Sequence, residues 1–192
     1  NVYKYMAEYT EGLNYIQKAV QIRERLYGKQ HPDVAMCYNM EGNIWLDQGK
    51  YHNALANYNE SLQIRLKFLG CDHPSVASSY NNIGITLFEL GNYSEALKNH
   101  QKALKIRVNC FGNSHPDIAA SYNNIAAVFY DQKKYLLALK YYNKALEIRL
   151  LFYGENHPDV AASYNNIGNV YQEHKDYEKA QESLVKSLNI KL

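Results

Sequence analysis

Apolar and small residues stand at Val160, Tyr164, Ile167, Gly168 and Tyr171. These positions, i, i+4, i+7, i+8 and i+11, lie on one face of a helix with 3.6 residues per turn. Half a turn away are Ala162, Asn166, Asn169 and Glu173, which are small, amidic or acidic. Pro158 marks the first turn of this predicted helix, and Asp159 places a carboxylate at the positive end of its dipole. Elsewhere a helix of this kind runs into a short polar turn, DQGKY at 47–51 or ELGNY at 89–93. A second helical pattern then begins, as in Ala180, Leu184, Ser187, Leu188 and Lys191, with the same spacing. Gly28, Gly70, Gly112 and Gly154 each close a second pattern, as a left-handed C-cap does. The predicted unit is helix, turn, helix, loop.

This unit recurs. HPDVAASYNNIG at 157 has counterparts in HPDVAMCYNMEG at 31, HPSVASSYNNIG at 73 and HPDIAASYNNIA at 115, a period of 42 residues that holds all four prolines. A period of this length signals a repeat architecture, and the helical spacing excludes propeller blades, which need alternating strands. The register predicts repeats at 31–72, 73–114 and 115–156, an incomplete last repeat at 157–192 and a partial one at 1–30. In the partial repeat Tyr9, Gly12, Ile16, Ala19, Ile22 and Arg23 lie 84 residues before Tyr93, Ala96, His100, Ala103, Ile106 and Arg107. The chain then reads as a single repeat domain, a window of a longer array that opens inside a first helix and closes inside a second. Apolar ends left exposed by such a window predict end-to-end self-association.

Tyr164, Ile167, Gly168 and Tyr171, followed by Tyr177, Ala180, Leu184 and Ser187, resemble the large, apolar, small and aromatic positions of the tetratricopeptide repeat. Tyr80, Ile83, Gly84, Leu87, Tyr93, Ala96 and Ala103 repeat the pattern, as do Tyr122, Ile125, Ala126, Phe129, Tyr135, Ala138, Tyr142 and Ala145. The familiar repeat has a proline where Leu66, Val108 and Leu150 stand, so each second helix is expected to run on for about eight residues, roughly two turns. The extension resembles the 42-residue subclass of kinesin light chain and nephrocystin-like proteins. That resemblance implies an all-α, right-handed superhelical solenoid of antiparallel helix pairs whose concave groove holds a protein or peptide partner as an adaptor or scaffold.

The stripe opposite the packing face of each first helix is expected to line that groove. It reads Met36, Met40, Asn43, Asp47; Ser78, Asn82, Ile85, Glu89; Ala120, Asn124, Ala127, Asp131; and Ala162, Asn166, Asn169, Glu173. An amide is both donor and acceptor, so Asn82, Asn124 and Asn166 are candidates to bond the backbone of an extended peptide whatever its side chains. With helices ~8–10 Å apart and ~3.3 Å per extended residue, four repeats span a peptide of roughly ten to fifteen residues. The alternative is that these asparagines bond neighbouring first helices and space the repeats. Asn39, Asn81, Asn123 and Asn165, at the stripe's edge, are read as inter-repeat bonds. The acids Asp47, Glu89, Asp131 and Glu173 are ligand contacts or solvated helix ends.

A second ladder follows isoleucine: Arg23, Arg65, Arg107 and Arg149, with Lys191 in the same place. By position these are long stems buried against the next repeat with paired head groups. The resemblance implies otherwise, since in kinesin light chain the matching Arg and the second Asn of the Asn-Asn pair contact cargo peptides. Carried over, this adds Arg65, Arg107 and Arg149 to Asn82, Asn124 and Asn166 as peptide-binding candidates. Met40 and Glu41 break the pattern in the first full repeat, and the acids prevent carrying over a preference for tryptophan flanked by acidic residues.

Composition narrows the function class further. A net charge of +2 leaves no field to draw nucleic acid, and no apolar run approaches the ~18 residues of a membrane span. Cys37, Cys71 and Cys110 form no CxxC pair and read as free thiols of a reducing, cytoplasmic compartment. His31, His73, His115 and His157 are each a full repeat apart, too far to share a metal, and no phosphate loop or nucleophile motif occurs. No catalysis, cofactor or metal is expected.

Overall fold

The computed structural model describes residues 2–191, with side chains described over 9–190. Residues 1 and 192, where the outermost repeats were expected to begin and end, lie outside the described residues, as does the Lys191 side chain. Among the described residues there are nine helices: α1 (Val2–Tyr27), α2 (Pro32–Asp47), α3 (Tyr51–Leu69), α4 (Pro74–Glu89), α5 (Tyr93–Phe111), α6 (Pro116–Asp131), α7 (Tyr135–Tyr153), α8 (Pro158–Glu173) and α9 (Tyr177–Lys191). None is long and apolar enough to cross a membrane. The chain forms two compact units, Asn1–Asn99 and His100–Leu192, divided within α5. In the first, α1 packs on α2, α2 on α3 and α3 on α4; in the second, α6 packs on α7, α7 on α8 and α8 on α9. Turns of a few residues make α2 and α3, α6 and α7, and α8 and α9 antiparallel pairs.

Each first helix starts at its proline, and the histidine before it is the cap. The Nδ1 atoms of His31, His73, His115 and His157 accept hydrogen bonds from the backbone N–H of Asp33, Ser75, Asp117 and Asp159 at 3.1–3.2 Å. The imidazole thus satisfies an N–H that the helix leaves unpaired, a task usually given to Ser or Asp. The rings also stack on the end of the preceding second helix, Tyr27 on His31, Phe111 on His115 and Tyr153 on His157. Replacing His157 by Ala costs about 1 kcal/mol in urea unfolding, and His157→Asn restores most of it.

The second helices end at Leu69, Phe111 and Tyr153, three residues beyond Leu66, Val108 and Leu150 rather than about eight. Glycine stops them. Gly70 (φ 80°, ψ 170°) and Gly154 (φ 78°, ψ −179°) occupy an extended mirror region rather than the left-handed helical one expected of a C-cap, and residues with a Cβ scarcely enter it. The chain is thereby turned into the loop that carries the next histidine cap. At the other end, α1 is unbroken from Val2, where the end of a first helix and a turn were expected. The register that supplies Gly-Lys before Tyr51, Gly-Asn before Tyr93, Lys-Lys before Tyr135 and Lys-Asp before Tyr177 supplies Ala7-Glu8 before Tyr9, and Ala and Glu are good helix formers.

The cores lie between paired helices. In the first unit Val34, Ala35 and Ile64 pack with Tyr38; in the second Ala126, Leu139, Tyr142, Leu146, Val160, Ile167 and Val170 form one cluster. The small residue of each first helix is set by close approach to the second. A Cβ on Gly42 would lie 2.6 Å from the fully buried Tyr58 ring, and one on Gly168 2.8 Å from Leu184. The third copy instead has Ala126, with Ala127 after it, beside Tyr142. Tyr58 is pinned by its O–H, which donates to Asn43 Oδ1 at 2.7 Å, a bond that Ala127 cannot offer Tyr142. Gly42→Ala therefore costs about 2 kcal/mol in thermal unfolding, the clash exceeding the helix-propensity gain. Adding Asn43→Ala frees the ring, so the double variant loses less than the sum of its parts.

Candidate peptide-binding face

Burial divides the predicted site residues into two groups. Asn43, Asp47, Glu89, Asp131, Asn169 and Glu173 are exposed and Asn82, Asn124 and Asn166 half-buried; Asn43 at the same time reaches the paired helix α3, its Oδ1 accepting from the Tyr58 O–H at 2.7 Å. Arg65, Arg107 and Arg149 are not on the stripe. Each stem lies in the seam between a second helix and the next first helix, and Nη1 is committed there. Arg65 donates to Ser75 O at 2.9 Å and Ser79 Oγ at 2.8 Å. Arg107 donates to Asp117 O at 3.0 Å and Ser121 Oγ at 2.7 Å, and Arg149 to Asp159 O at 3.2 Å and Ser163 Oγ at 2.7 Å. Arg23 makes the same pair of contacts with Asp33 O and, in place of the serine, Cys37 Sγ, both at 3.0 Å. Burial lowers the pKa of the Arg65, Arg107 and Arg149 guanidiniums, and the Asp117 and Asp159 carboxylates partly offset this for the last two. This placement is the buried stem with a paired head group, the arrangement that position alone had suggested.

Two of the asparagines make the bonds between first helices that stood as the alternative to peptide contact. Asn82 Nδ2 donates to Asn39 Oδ1 at 3.1 Å, and Asn166 Nδ2 to Asn123 Oδ1 at 3.0 Å. These bonds join adjacent first helices, α2 to α4 and α6 to α8, within their units. Each uses one N–H of an amide that has two N–H donors and a carbonyl acceptor. Further hydrogen-bonding capacity therefore remains on half-buried side chains. Of the acids, Glu89 Oε2 accepts from Tyr51 at 3.4 Å. Asp47, Glu89, Asp131 and Glu173 each end a first helix, so the carbonyl end of the dipole adds to their negative potential.

The histidine caps and the serine partners of the buried arginines were missed in the sequence, although both had a signal. His precedes every helix-starting proline, and each Arg stands 14 residues before its Ser or Cys partner in all four copies.

No curated protein matches the chain. Among solved structures it is similar to BtubC (BKLC) from P. vanneervenii, at 22% identity over 96% of this chain and 73% of that one, with a TM-score of 0.85. It is also similar to a Podosopora anserina protein assigned as a kinesin light chain with nearly identical repeats, at 20% identity over 98% and 89% of the two chains and a TM-score of 0.81. MamA shares 16% identity over 92% and 88%, with a TM-score of 0.63. At these identities the likeness is one of fold, an all-α repeat array. Tetratricopeptide repeat models match residues 1–33 and 81–151, and one model alone matches 42–108 and 117–192. The chain thus belongs to the tetratricopeptide repeat family.

Proposed function

We propose that this chain is a cytoplasmic adaptor or scaffold module that holds an extended peptide on the exposed stripe of its first helices. Tetratricopeptide repeats are general protein-interaction scaffolds. Peptide contact on the stripe is supported by a division of labour within each first helix. One face is spent on the core, with Val34, Val76, Ile118 and Val160 at most 1% exposed, while the amide and acidic positions opposite stay accessible. Contact is assigned to Asn43, Asn82, Asn124, Asn166 and Asn169 for the peptide backbone and to Asp47, Glu89, Asp131 and Glu173 for its side chains. The arginines hold the helices that present them.

The test is selection from a library of random 15-residue peptides, followed by affinity measurement with a selected peptide. Ser78→Arg and Ala162→Arg each set a bulky cation on the exposed stripe, and Gln63→Arg sets one on an exposed second-helix position. Stripe binding predicts at least about ten-fold weaker binding for one or both stripe variants, about 1.4 kcal/mol, and little change for Gln63→Arg. Equal binding by all three overturns the proposal.

The alternative, a spacer or self-association array, is favoured by the Asn82–Asn39 and Asn166–Asn123 bonds and by the exposed Tyr177, Val185 and Leu188 of α9. It predicts concentration-dependent sedimentation and no enriched peptide.

A further inference from the structure

The stripe is uniform in the copies beginning at 115 and 157, where its first two positions are Ala120 and Asn124, and Ala162 and Asn166. On α2 the same positions are Met36 and Met40, 43% and 46% exposed. Neither methionine belongs to the Val34, Ala35 and Ile64 core. The neighbouring helix α4, bridged to α2 by the Asn82–Asn39 bond, adds Ile85 to the same stripe, where the other copies have Asn43, Ala127 and Asn169. At Met36, Met40 and Ile85 the first unit therefore presents large apolar side chains where the second presents small and amide ones, while Asn43, Ser78 and Asn82 keep the small and amide pattern. Methionine is unbranched and polarisable, which suits it to mould around an apolar side chain of varied shape.

The acids at one end of this patch determine what else an occupant carries. Asp47 and Glu89 are the last residues of α2 and α4, both exposed, and among the described residues no cation pairs with either. Two carboxylates and two helix C-termini make that end negative although the whole chain has a formal charge of +2. From Met40 to Asp47 is seven residues of helix, about 10 Å at 1.5 Å per residue, a distance that about three residues of extended peptide cover.

We propose that the first unit selects an extended peptide carrying a large apolar residue, seated on Met36, Met40 and Ile85, and a lysine or arginine about three positions away, directed to Asp47 and Glu89. This rests on the stripe being the peptide-binding face. It names a cationic, apolar class of ligand and excludes acidic peptides, which the two carboxylates repel.

The probe is a display library of 12-residue random peptides selected on the whole chain, with a selected peptide then titrated by fluorescence anisotropy. The expected consensus pairs a large apolar residue with Lys or Arg. Met36→Ala with Met40→Ala weakens binding about ten-fold. Asp47→Asn with Glu89→Gln does the same and flattens the salt dependence, as expected when an exposed charge pair is removed. All four positions are exposed, and circular dichroism of each variant verifies folding. If selected peptides are lost on Ser78→Arg but are acidic, or are insensitive to both pairs of substitutions, this inference fails while the stripe remains a binding face. If no peptide enriches, both fail.

Discussion

Replacing Arg107 by alanine lowers the stability of the fold by about 3 kcal/mol while leaving a stripe-binding peptide bound within about two-fold of its original affinity. Three methylenes of an almost buried stem contribute about 0.8 kcal/mol each on burial. The two hydrogen bonds from Nη1 to Asp117 O and Ser121 Oγ are charge-assisted and add about 1.5–3 kcal/mol each. Relief of guanidinium desolvation offsets part of that sum. Ser121 Oγ still bonds Asp117 O at 3.1 Å, so no buried hydroxyl is orphaned in the variant. Urea unfolding measures the loss, and peptide titration of the folded fraction measures the affinity. A guanidinium that contacted ligand predicts the reverse, a large loss of affinity with little loss of stability.

The second large effect is an acid sensitivity placed in one residue. His100 occupies the packing position that Tyr58, Tyr142 and Leu184 fill in the other copies. It is 1% exposed, and its Nδ1 has no hydrogen-bond partner. Burial, with a smaller push from the Arg107 charge, lowers its pKa to about 4. The unfolded chain, with a histidine pKa of about 6.5, takes up this proton first as the pH falls. Stability is therefore lost between about pH 6.5 and 4 and is insensitive to this group above that window. Between pH 7 and 4 the loss amounts to about 3 kcal/mol, from about 1.4 kcal/mol per pH unit of displacement. His100→Leu, which borrows the residue of the last copy, removes this component from the pH profile. It also deletes an unpaired buried polar atom, so the variant is about 1 kcal/mol more stable at pH 7. Matched urea midpoints from pH 4 to 8 check both statements: parallel profiles contradict the first, and a variant no more stable than the parent at pH 7 contradicts the second.

The helices were legible because each is encoded by spacing: Val160, Tyr164, Ile167, Gly168 and Tyr171 on one face, Pro158 at the start, and the DQGKY and ELGNY turns between pairs. The exposed stripe was legible for the same reason, being whatever stands half a turn from the packing face. Helix ends were less so. A glycine at 70 or 154 predicts a stop, yet whether its ψ is helical or extended depends on where the following His cap must go. The arginines show a different limit. Their position indicated a buried stem, whereas family resemblance pointed to ligand contact. The geometry places Nη1 of Arg65, Arg107 and Arg149 on a serine whose spacing of 14 was visible in the sequence. Such a coincidence gains meaning only when two helices bring the residues together. The asparagine pairs show the same thing: Asn39 and Asn82 are 43 residues apart, and only adjacent first helices make that a hydrogen bond.

Whether first helices present the ligand-binding stripe while second helices and the arginine seam hold them in place is decided by mapping backbone amide shifts in solution NMR as a selected peptide is titrated in. Perturbations are expected on α2, α4, α6 or α8 around Asn43, Asn82, Asn124, Asn166 and Asn169, with the amides around Arg65, Arg107 and Arg149 unmoved. Perturbations concentrated on α3, α5 or α7, or centred on those arginines, contradict that arrangement.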